Sequence, residues 1–354
     1  LKKRILDAKI RILMAQEQSS KNLLSKLEKR PDLKILYDNI QEDLNKVEQQ
    51  LKTFSLSPNK LIAEVSTYLF QNTGKRIRPA LLILCSKLFG YRGKEHILMS
   101  ALVETIHTAS LIHDDIIDNS AIRRGRKSVH SKWGPNITVL LGDYLYIKSI
   151  SLSLKSKYRQ IIRILTDIST RMIDGELSEY SLSGNLGIAE RDYLDIINKK
   201  TASLFSAACQ IGGIIGKASK KEENCLANYG TNLGMSFQIT DDLLDYTGKE
   251  KILGKPVLSD LKEGRITLPL IYTLKNENKA NRKRFTEILN KKELDTKSQE
   301  EILHILKSNG AFDYTQKKAR EFSQKSKETI SQLPQSIHRD ALILFSDFVL
   351  ARKK

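Results

Sequence analysis

Leu, Ile and Ala recur along most of this 354-residue chain at the three- and four-residue intervals of helices, and little strict alternation interrupts them. The breakers fit the same picture. Seven prolines occur in all, with none between Pro135 and Pro256. Glycine is absent between Gly93 and Gly125 and again between Gly142 and Gly175. Such windows predict long helices, and no convincing strand pattern competes with them. The expected fold class is all-α: a single large bundle of long helices around a central cavity, with functional side chains supplied by facing helices.

The opening differs in texture. Residues 1–56 are polar, rich in Lys, Gln and Glu, with Leu and Ile at amphipathic spacing. They read as an N-terminal helical extension ahead of a main domain over 57–354. Pro31-Asp32 suits the first turn of a second helix, and Ser57-Pro58 marks a joint before the core. The basic stretch Leu1–Met14 has two readings: an extra packed helix, or a segment that touches a membrane surface or directs targeting. No run of about 18 apolar residues is present, so no membrane span is expected.

Charge and cysteine use narrow the function classes. The net charge of +18 favours polyanionic partners, whether nucleic acid, anionic lipid or phosphorylated substrates, although much of it is scattered as on a solvated surface. Cys85, Cys209 and Cys225 are odd in number and widely spaced. They argue against a disulfide framework or zinc site and fit a reducing, cytoplasmic setting.

The chemistry is concentrated in one pattern that occurs twice. Asp114-Asp115-Ile116-Ile117-Asp118 and Asp241-Asp242-Leu243-Leu244-Asp245 both lie in apolar, proline-free stretches. On a helix, positions i and i+4 share a face, so Asp114 lies over Asp118 and Asp241 over Asp245. Carboxylates so placed repel unless a cation lies between them. Two such clusters point to oxygen ligands for a divalent metal that also holds substrate phosphates. A single Asp-x-x-x-Asp is usually a solvated face; its duplication beside apolar residues argues for function.

Cations accompany the acids. Gly74-Lys75-Arg76-Ile77-Arg78-Pro79 sets three in a short segment, and Arg123-Arg124-Gly125-Arg126 follows the first acidic cluster. Lys200-Thr201, Gln238, Lys255 and Arg265 complete the set, and His107 stands two helical turns before Asp114. Arginine matches phosphate oxygens bidentately and lysine supplies a compact charge. A metal-coordinated phosphate uses the acids, and a metal-free phosphate needs only the bases. Both environments are present, which suggests two anionic substrates.

These stretches resemble the trans-isoprenyl diphosphate synthases, the polyprenyl synthetase family. The likeness is carried by residues 74–79, His-Thr-Ala-Ser-Leu-Ile-His-Asp-Asp-Ile-Ile-Asp at 107–118, and Arg-Arg-Gly-Arg at 123–126. It continues with Gly-Asp-Tyr-Leu at 142–145, Lys-Thr-Ala at 200–202 and Gly-Met-Ser-Phe-Gln-Ile-Thr-Asp-Asp-Leu-Leu-Asp at 234–245. Leu-Gly-Lys-Pro at 253–256, Asp260 and Glu-Gly-Arg-Ile-Thr-Leu-Pro at 263–269 end it. The resemblance spans about residue 60 to the C-terminus and does not reach the first 50 residues.

The resemblance implies a prenyltransferase that condenses isopentenyl diphosphate with allylic diphosphates, with Mg2+ as cofactor. It implies catalytic roles for Asp114, Asp115, Asp118, Asp241, Asp242 and Asp245, with Asp114, Asp118 and Asp241 as metal ligands. Lys75, Arg78, His107 and Arg124 are implied for isopentenyl diphosphate, and Arg123, Lys200, Thr201, Gln238 and Lys255 for the allylic diphosphate. Arg265 departs from the lysine common in the family but keeps the charge.

Product length is argued from helix geometry. Ala109 and Ser110 precede Asp114 by five and four residues, one turn below the acids, and both are small. An open floor lets a growing chain pass toward Ile106 and Val103, which matches long-chain members that make quinone side-chain precursors. The expected protein is a long-chain all-trans-polyprenyl diphosphate synthase, a homodimer. Alternatives are the large subunit of a two-component heptaprenyl synthase, which works with a small subunit, and a shorter-chain geranylgeranyl or farnesyl synthase. From another class, a basic helical nucleic-acid-binding protein is favoured by net charge alone. Aromatic residues are only 6% of the chain, against the aromatic stripes that reading needs, so no nucleic-acid partner is expected.

Overall fold

The computed structural model describes residues 36–71, 74–248, 257–277, 279–289 and 295–352. Leu1–Met14, Pro31-Asp32 and Lys255 lie outside the described residues. The fold is all-α, as the periodicity predicts. In chain order the helices are α1 (Gln41–Thr53), α2 (Lys60–Phe70), α3 (Ile77–Leu88), α4 (Glu95–Ile117), α5 (Val129–Ser153), α6 (Arg159–Ser181) and α7 (Glu190–Ile197). There follow α8 (Ser203–Ile215), α9 (Lys220–Thr247), the short α10 (Ser259–Lys262), α11 (Leu268–Asn276), α12 (Lys279–Leu289), α13 (Thr296–Ser308), α14 (Ala311–Ile330) and α15 (Ile337–Ala351).

Three helices form the centre because their sequences are apolar all round. In α3, α4 and α8 nearly every side of the helix is buried, through residues such as Leu81, Leu82, Ile83, Val103, Ile106, Leu204 and Ile211. The surrounding helices bury one stripe each. One apolar cluster joins α1, α3, α4, α8 and the first half of α9; a second joins α7, the end of α9 and α11 to α14. Helix α9 runs from one cluster into the other. Its start is fixed by Ser219, whose hydroxyl accepts from the backbone N–H of Glu222 while the Glu222 carboxylate accepts from that of Ser219.

Residues 36–56 share the first cluster. Leu36, Ile40, Leu44, Val47, Leu51 and Phe54 are all buried within it. Glu48 of α1 binds Arg76 at 2.5 Å, and the same guanidinium reaches Glu104 of α4 at 2.7 Å. The Ser57-Pro58 joint falls between α1 and α2, where Asn59 caps α2 by accepting from Leu61 and Ile62.

Three local features depart from the periodicity. Ile122–Arg123 and Arg126–Lys127 form a small antiparallel hairpin rather than helix. Its two-residue turn, Arg124-Gly125, has positive φ at both positions (53° and 75°), the geometry whose twist suits a tight hairpin. Helix α5 is kinked at Gly134-Pro135, where Gly134 has φ 83°. The glycine-free window 142–175 is broken after Ser153, where Ser156 accepts from the Tyr158 N–H and bonds Glu95. No helix among the described residues is long and apolar enough to cross a membrane.

Candidate active site

The two acidic motifs meet across one cavity of about 620 Å³. Asp114 and Asp118 line one wall; Asp241 and Asp242 line the other. The first motif straddles a helix end: Asp114 and Asp115 are in α4, and Asp118 is its C-cap. The second lies within α9. Between them stand Arg123, Arg124, Lys200, Thr201, Gln238 and Arg265.

Each motif has one member turned to a supporting task. Asp115 is buried and accepts from Arg123 at 2.5 Å, tying the hairpin to α4. Asp245 is buried and accepts from the backbone N–H of Asp260 at 3.1 Å, and neither it nor Asp115 lines this cavity. The loop after α9 is thus held to the acidic helix. That loop folds on itself through Arg265 N–H to the Asp260 carbonyl at 2.8 Å, and the Gly264 carbonyl accepts from Gly184 at 2.8 Å. Arg265 is thereby aimed into the cavity.

Lys200 and Thr201 are presented by a short π-helical segment, Asn198–Ala202. A π-bulge inserts a residue into a helix and shifts side chains off the regular stripe, often at functional sites. Two glycines grip it. A Cβ on Gly175 of α6 would lie 2.7 Å from the Lys200 backbone nitrogen, and one on Gly234 of α9 would lie 2.6 Å from Ala202 Cα. Close approach brings partners into range. Lys200 reaches Glu176 at 2.6 Å and Glu179 at 2.5 Å. Thr201 donates to Gln238 at 2.8 Å, Gln238 donates to Asp242 at 2.7 Å, and the Tyr193 hydroxyl donates to Asp242 at 2.6 Å.

The electrostatics are those of a site short of positive charge at its acids. Burial is the main force pushing Asp114 up to about 7; Glu176 and Asp118 add to it, and Lys200 and Arg123 oppose it. Burial, then Asp260, pushes Asp242 well above the usual carboxylate range against the hydrogen bonds from Tyr193 and Gln238. The guanidinium of Arg265 sits among carboxylates, 2.5 Å from Asp118, 2.7 Å from Glu263, 3.3 Å from Asp260 and 3.7 Å from Glu179. A cation is therefore already drawn to the space beside Asp118. Among the described residues, no three His, Cys, Asp or Glu side chains converge as a preformed metal cage. The donors are hard carboxylate oxygens, which fit magnesium, an ion bound by one or two carboxylates together with substrate phosphates.

A second cavity of about 390 Å³ shares Asp114, Lys200, Thr201, Gln238 and Asp241 with the first. Leu111 is shared too, and the far walls of the second cavity are more apolar: Ile117, Tyr146, Met172, Ile173, Leu177 and Phe237. Arg78 and His107 also line it. Both are partly buried. Burial pushes Arg78 down to about 10, with Arg124 adding and Glu104 opposing, and its Nε has no hydrogen-bond partner among the described residues. Burial, then Arg78 and Arg124, holds His107 well below the ordinary imidazole range. The Arg124 guanidinium lies against Gly74, next to Lys75, where an added Cβ would come within 2.7 Å. The structure thus gathers Arg78, His107 and Arg124 into one basic corner beside Lys75.

Arg76, the middle cation of the 75–78 triplet, bridges Glu48 and Glu104 instead. Its φ of 52° turns it away from its neighbours. Of the chain-length trio, Ser110 lines the second cavity, whereas Ala109 and Ile106 are fully buried and line neither. The acids Glu176, Glu179 and Glu263 and the hydroxyl of Tyr193 are site residues that sequence reasoning missed. The only sequence signal for the first two was their i, i+3 spacing in a glycine-preceded turn.

Comparison with known proteins agrees with this geometry. The family model described as "Polyprenyl synthetase" matches residues 59–306. The chain is 34% identical over 303 residues to octaprenyl diphosphate synthase of Haemophilus influenzae, covering 85% of this chain and 91% of that one. It is also 34% identical over 333 residues to geranylgeranyl diphosphate synthase of Saccharolobus solfataricus, covering 91% and 99%. Among solved structures, a polyprenyl synthase from Caulobacter crescentus complexed with calcium and isoprenyl diphosphate superposes with a TM-score of 0.87 at 30% identity, covering 91% and 98%. With two acidic walls facing across one cavity and a family match over most of its length, this chain belongs to the polyprenyl synthetase family and is a prenyltransferase.

Proposed function

We propose that the chain makes a long-chain all-trans-polyprenyl diphosphate from isopentenyl diphosphate and an allylic diphosphate primer. The observation that carries this reading is the pair of joined cavities, one walled by charge and the other largely by apolar side chains. In it, Asp114, Asp118 and Asp241 hold magnesium, and Lys200, Thr201, Gln238 and Arg123 hold the allylic diphosphate. Bound magnesium supplies charge stabilisation to the departing diphosphate. The allylic carbon–oxygen bond breaks and diphosphate leaves with the electron pair. The double bond of isopentenyl diphosphate, held by Lys75, Arg78, His107 and Arg124, attacks the allylic carbon. A proton then passes to an oxygen of the diphosphate just released, which restores a double bond. Fixed cations and donors stabilise the developing charge without reorganising, and the walls of Leu111, Ile117 and Met172 keep water from the carbocation.

Length is the finer part of the proposal, since octaprenyl and geranylgeranyl relatives are equally identical to this chain. The support is Ser110, small and in the wall of the more apolar cavity. A homodimer is part of the same proposal. Leu140 and Ile147 of α5, and Ile173, Leu177 and Tyr180 of α6, are large, apolar and exposed at helical spacing. Ile173 and Leu177 also wall the second cavity, so a second copy on this face would close its side. A cytoplasmic location is supported by three free cysteines, two of them buried. The deciding experiment is chromatography of labelled products from isopentenyl and farnesyl diphosphates with the purified protein, with and without chelator. Products of eight or so isoprene units, absent in chelator, are expected; condensation that persists in chelator refutes the mechanism.

A further inference from the structure

Arg352 follows α15 and is almost wholly buried, with 3% of its side chain exposed. A buried guanidinium needs partners, and this one has an unusual set. Its charged carbon lies 3.7 Å over the ring of Phe237. One nitrogen donates to the Phe237 carbonyl at 3.0 Å and reaches Asp241 at 3.4 Å. Its Nε is buried with no hydrogen-bond partner among the described residues. The column continues inward: Phe237 lies 5.1 Å from Phe205, and Arg78 lies 4.6 Å over Phe205.

Two features separate this from an arginine that merely packs on an aromatic ring. The ring and the carbonyl fix the guanidinium independently of Asp241, so it presents a donor at a set place. Asp241, in turn, is half exposed to the cavity, and Arg352 is its only ion-pair partner among the described residues. Asp242 is held by Tyr193 and Gln238, Asp118 by Arg265, and Asp241 by Arg352. Other charges near the end of α15 are engaged elsewhere, as Asp347 is with Lys327.

We propose that Arg352 is a positioning residue that holds Asp241 in its metal-binding orientation from outside the coordination sphere. The proposal rests on the reading of Asp241 as a metal ligand. A carboxylate has lone pairs enough for a donor on one side and a cation on the other. Partners of this kind typically contribute about 10–100-fold to metal affinity.

The test uses the full chain, with Mn2+ as the probe and inorganic diphosphate present, and reads free Mn2+ by electron paramagnetic resonance. Arg352→Met is expected to weaken Mn2+ binding by about 10–100-fold, and Arg352→Lys to regain part of the loss. Unchanged or tighter binding in Arg352→Met overturns the proposal. A purely structural role predicts lower thermal stability with unshifted Mn2+ affinity, and that outcome also overturns it. Should the Met variant not fold, Arg352→Gln carries the same reading. Asp241→Asn separates the two layers of argument. If it leaves Mn2+ affinity unmoved, the ligand assignment itself falls. If it weakens binding, the double variant should lose no more than Asp241→Asn alone, and additive losses would show that Arg352 acts by another route.

Discussion

Asp114 is pushed up to about 7 mainly by burial, so in the absence of metal the folded protein holds a proton there that the unfolded chain releases near its ordinary 3.8. Between those values the folded state binds more protons than the unfolded one, and this residue's contribution to stability falls as pH rises through the window. On the proposed assignment, a divalent cation beside Asp114 would take the place of that proton. The rise in melting temperature given by Mg2+ with inorganic diphosphate should therefore be larger at pH 8 than at pH 5.5, and the difference should shrink in Asp114→Asn. An equal rise at both pH values in the parent protein would count against Asp114 as a ligand. Turnover should drop by at least about 100-fold in Asp114→Asn or Asp241→Asn, measured as kcat with farnesyl diphosphate, since each removes charge stabilisation at the leaving group. Arg265 makes a separate case. Its four carboxylate neighbours lose their shared cation in Arg265→Gln, a change of the kind that costs roughly 3–5 kcal/mol where a buried pair is broken. Partial exposure of Arg265 lowers that figure. The melting temperature without metal should fall, and Mg2+ with diphosphate should recover a larger part of it than in the parent.

On the proposed assignment, the element that positions the allylic side of the site is the π-helical turn at Asn198–Ala202, wedged between α6 and α9. Any side chain at Gly234 meets the Ala202 backbone at 2.6 Å, and backbone cannot give way as a flexible side chain can. Gly234→Val is expected to push this turn off α9, break the Thr201–Gln238 bond and raise the KM for the allylic substrate by an order of magnitude or more, with the KM for isopentenyl diphosphate less affected. Equal changes in both constants would mean general loosening. At the level of α4, Ser110 faces the cavity and Ala109 faces the packed core, so the two small residues are not equivalent. Ser110→Phe should shorten the product, whereas Ala109→Phe should first cost stability through overpacking. Thin-layer chromatography of dephosphorylated products, read beside melting curves, distinguishes them; an unaltered length in a folded Ser110→Phe protein would remove the open-floor argument.

The whole molecule shows what sequence could and could not carry. Helical periodicity and the spacing of breakers were enough for the all-α class, because they depend only on local geometry. The two Asp-Asp-x-x-Asp motifs were legible for the same reason: chemistry and spacing lie within five residues. Which aspartate faces the cavity was not, because Asp115 and Asp245 are turned aside by partners, Arg123 and Asp260 N–H, that only the tertiary fold brings near. The hairpin at Ile122–Lys127 escaped a period-based reading because strands of two residues have no period. The face formed by α5 and α6 is likewise a property of the assembled molecule. Its exposed Leu140, Ile147, Leu177 and Tyr180 are each 64% exposed or more, and Ile173 and Leu177 reach from that face into the cavity wall. A charge placed in the middle of such a face is costly only if another apolar surface covers it. Leu177→Asp should therefore convert a dimer to a monomer in light scattering after size exclusion, with an unchanged helical circular dichroism spectrum. If the proposed dimer forms on this face, the substitution should also lower kcat and shorten the products, because the cavity would lose the wall of a second copy. If the parent chain is a monomer at micromolar concentration, yet still yields long products, the apolar face serves another partner, such as a membrane surface, and vesicle flotation of the parent and the Leu177→Asp variant separates the two.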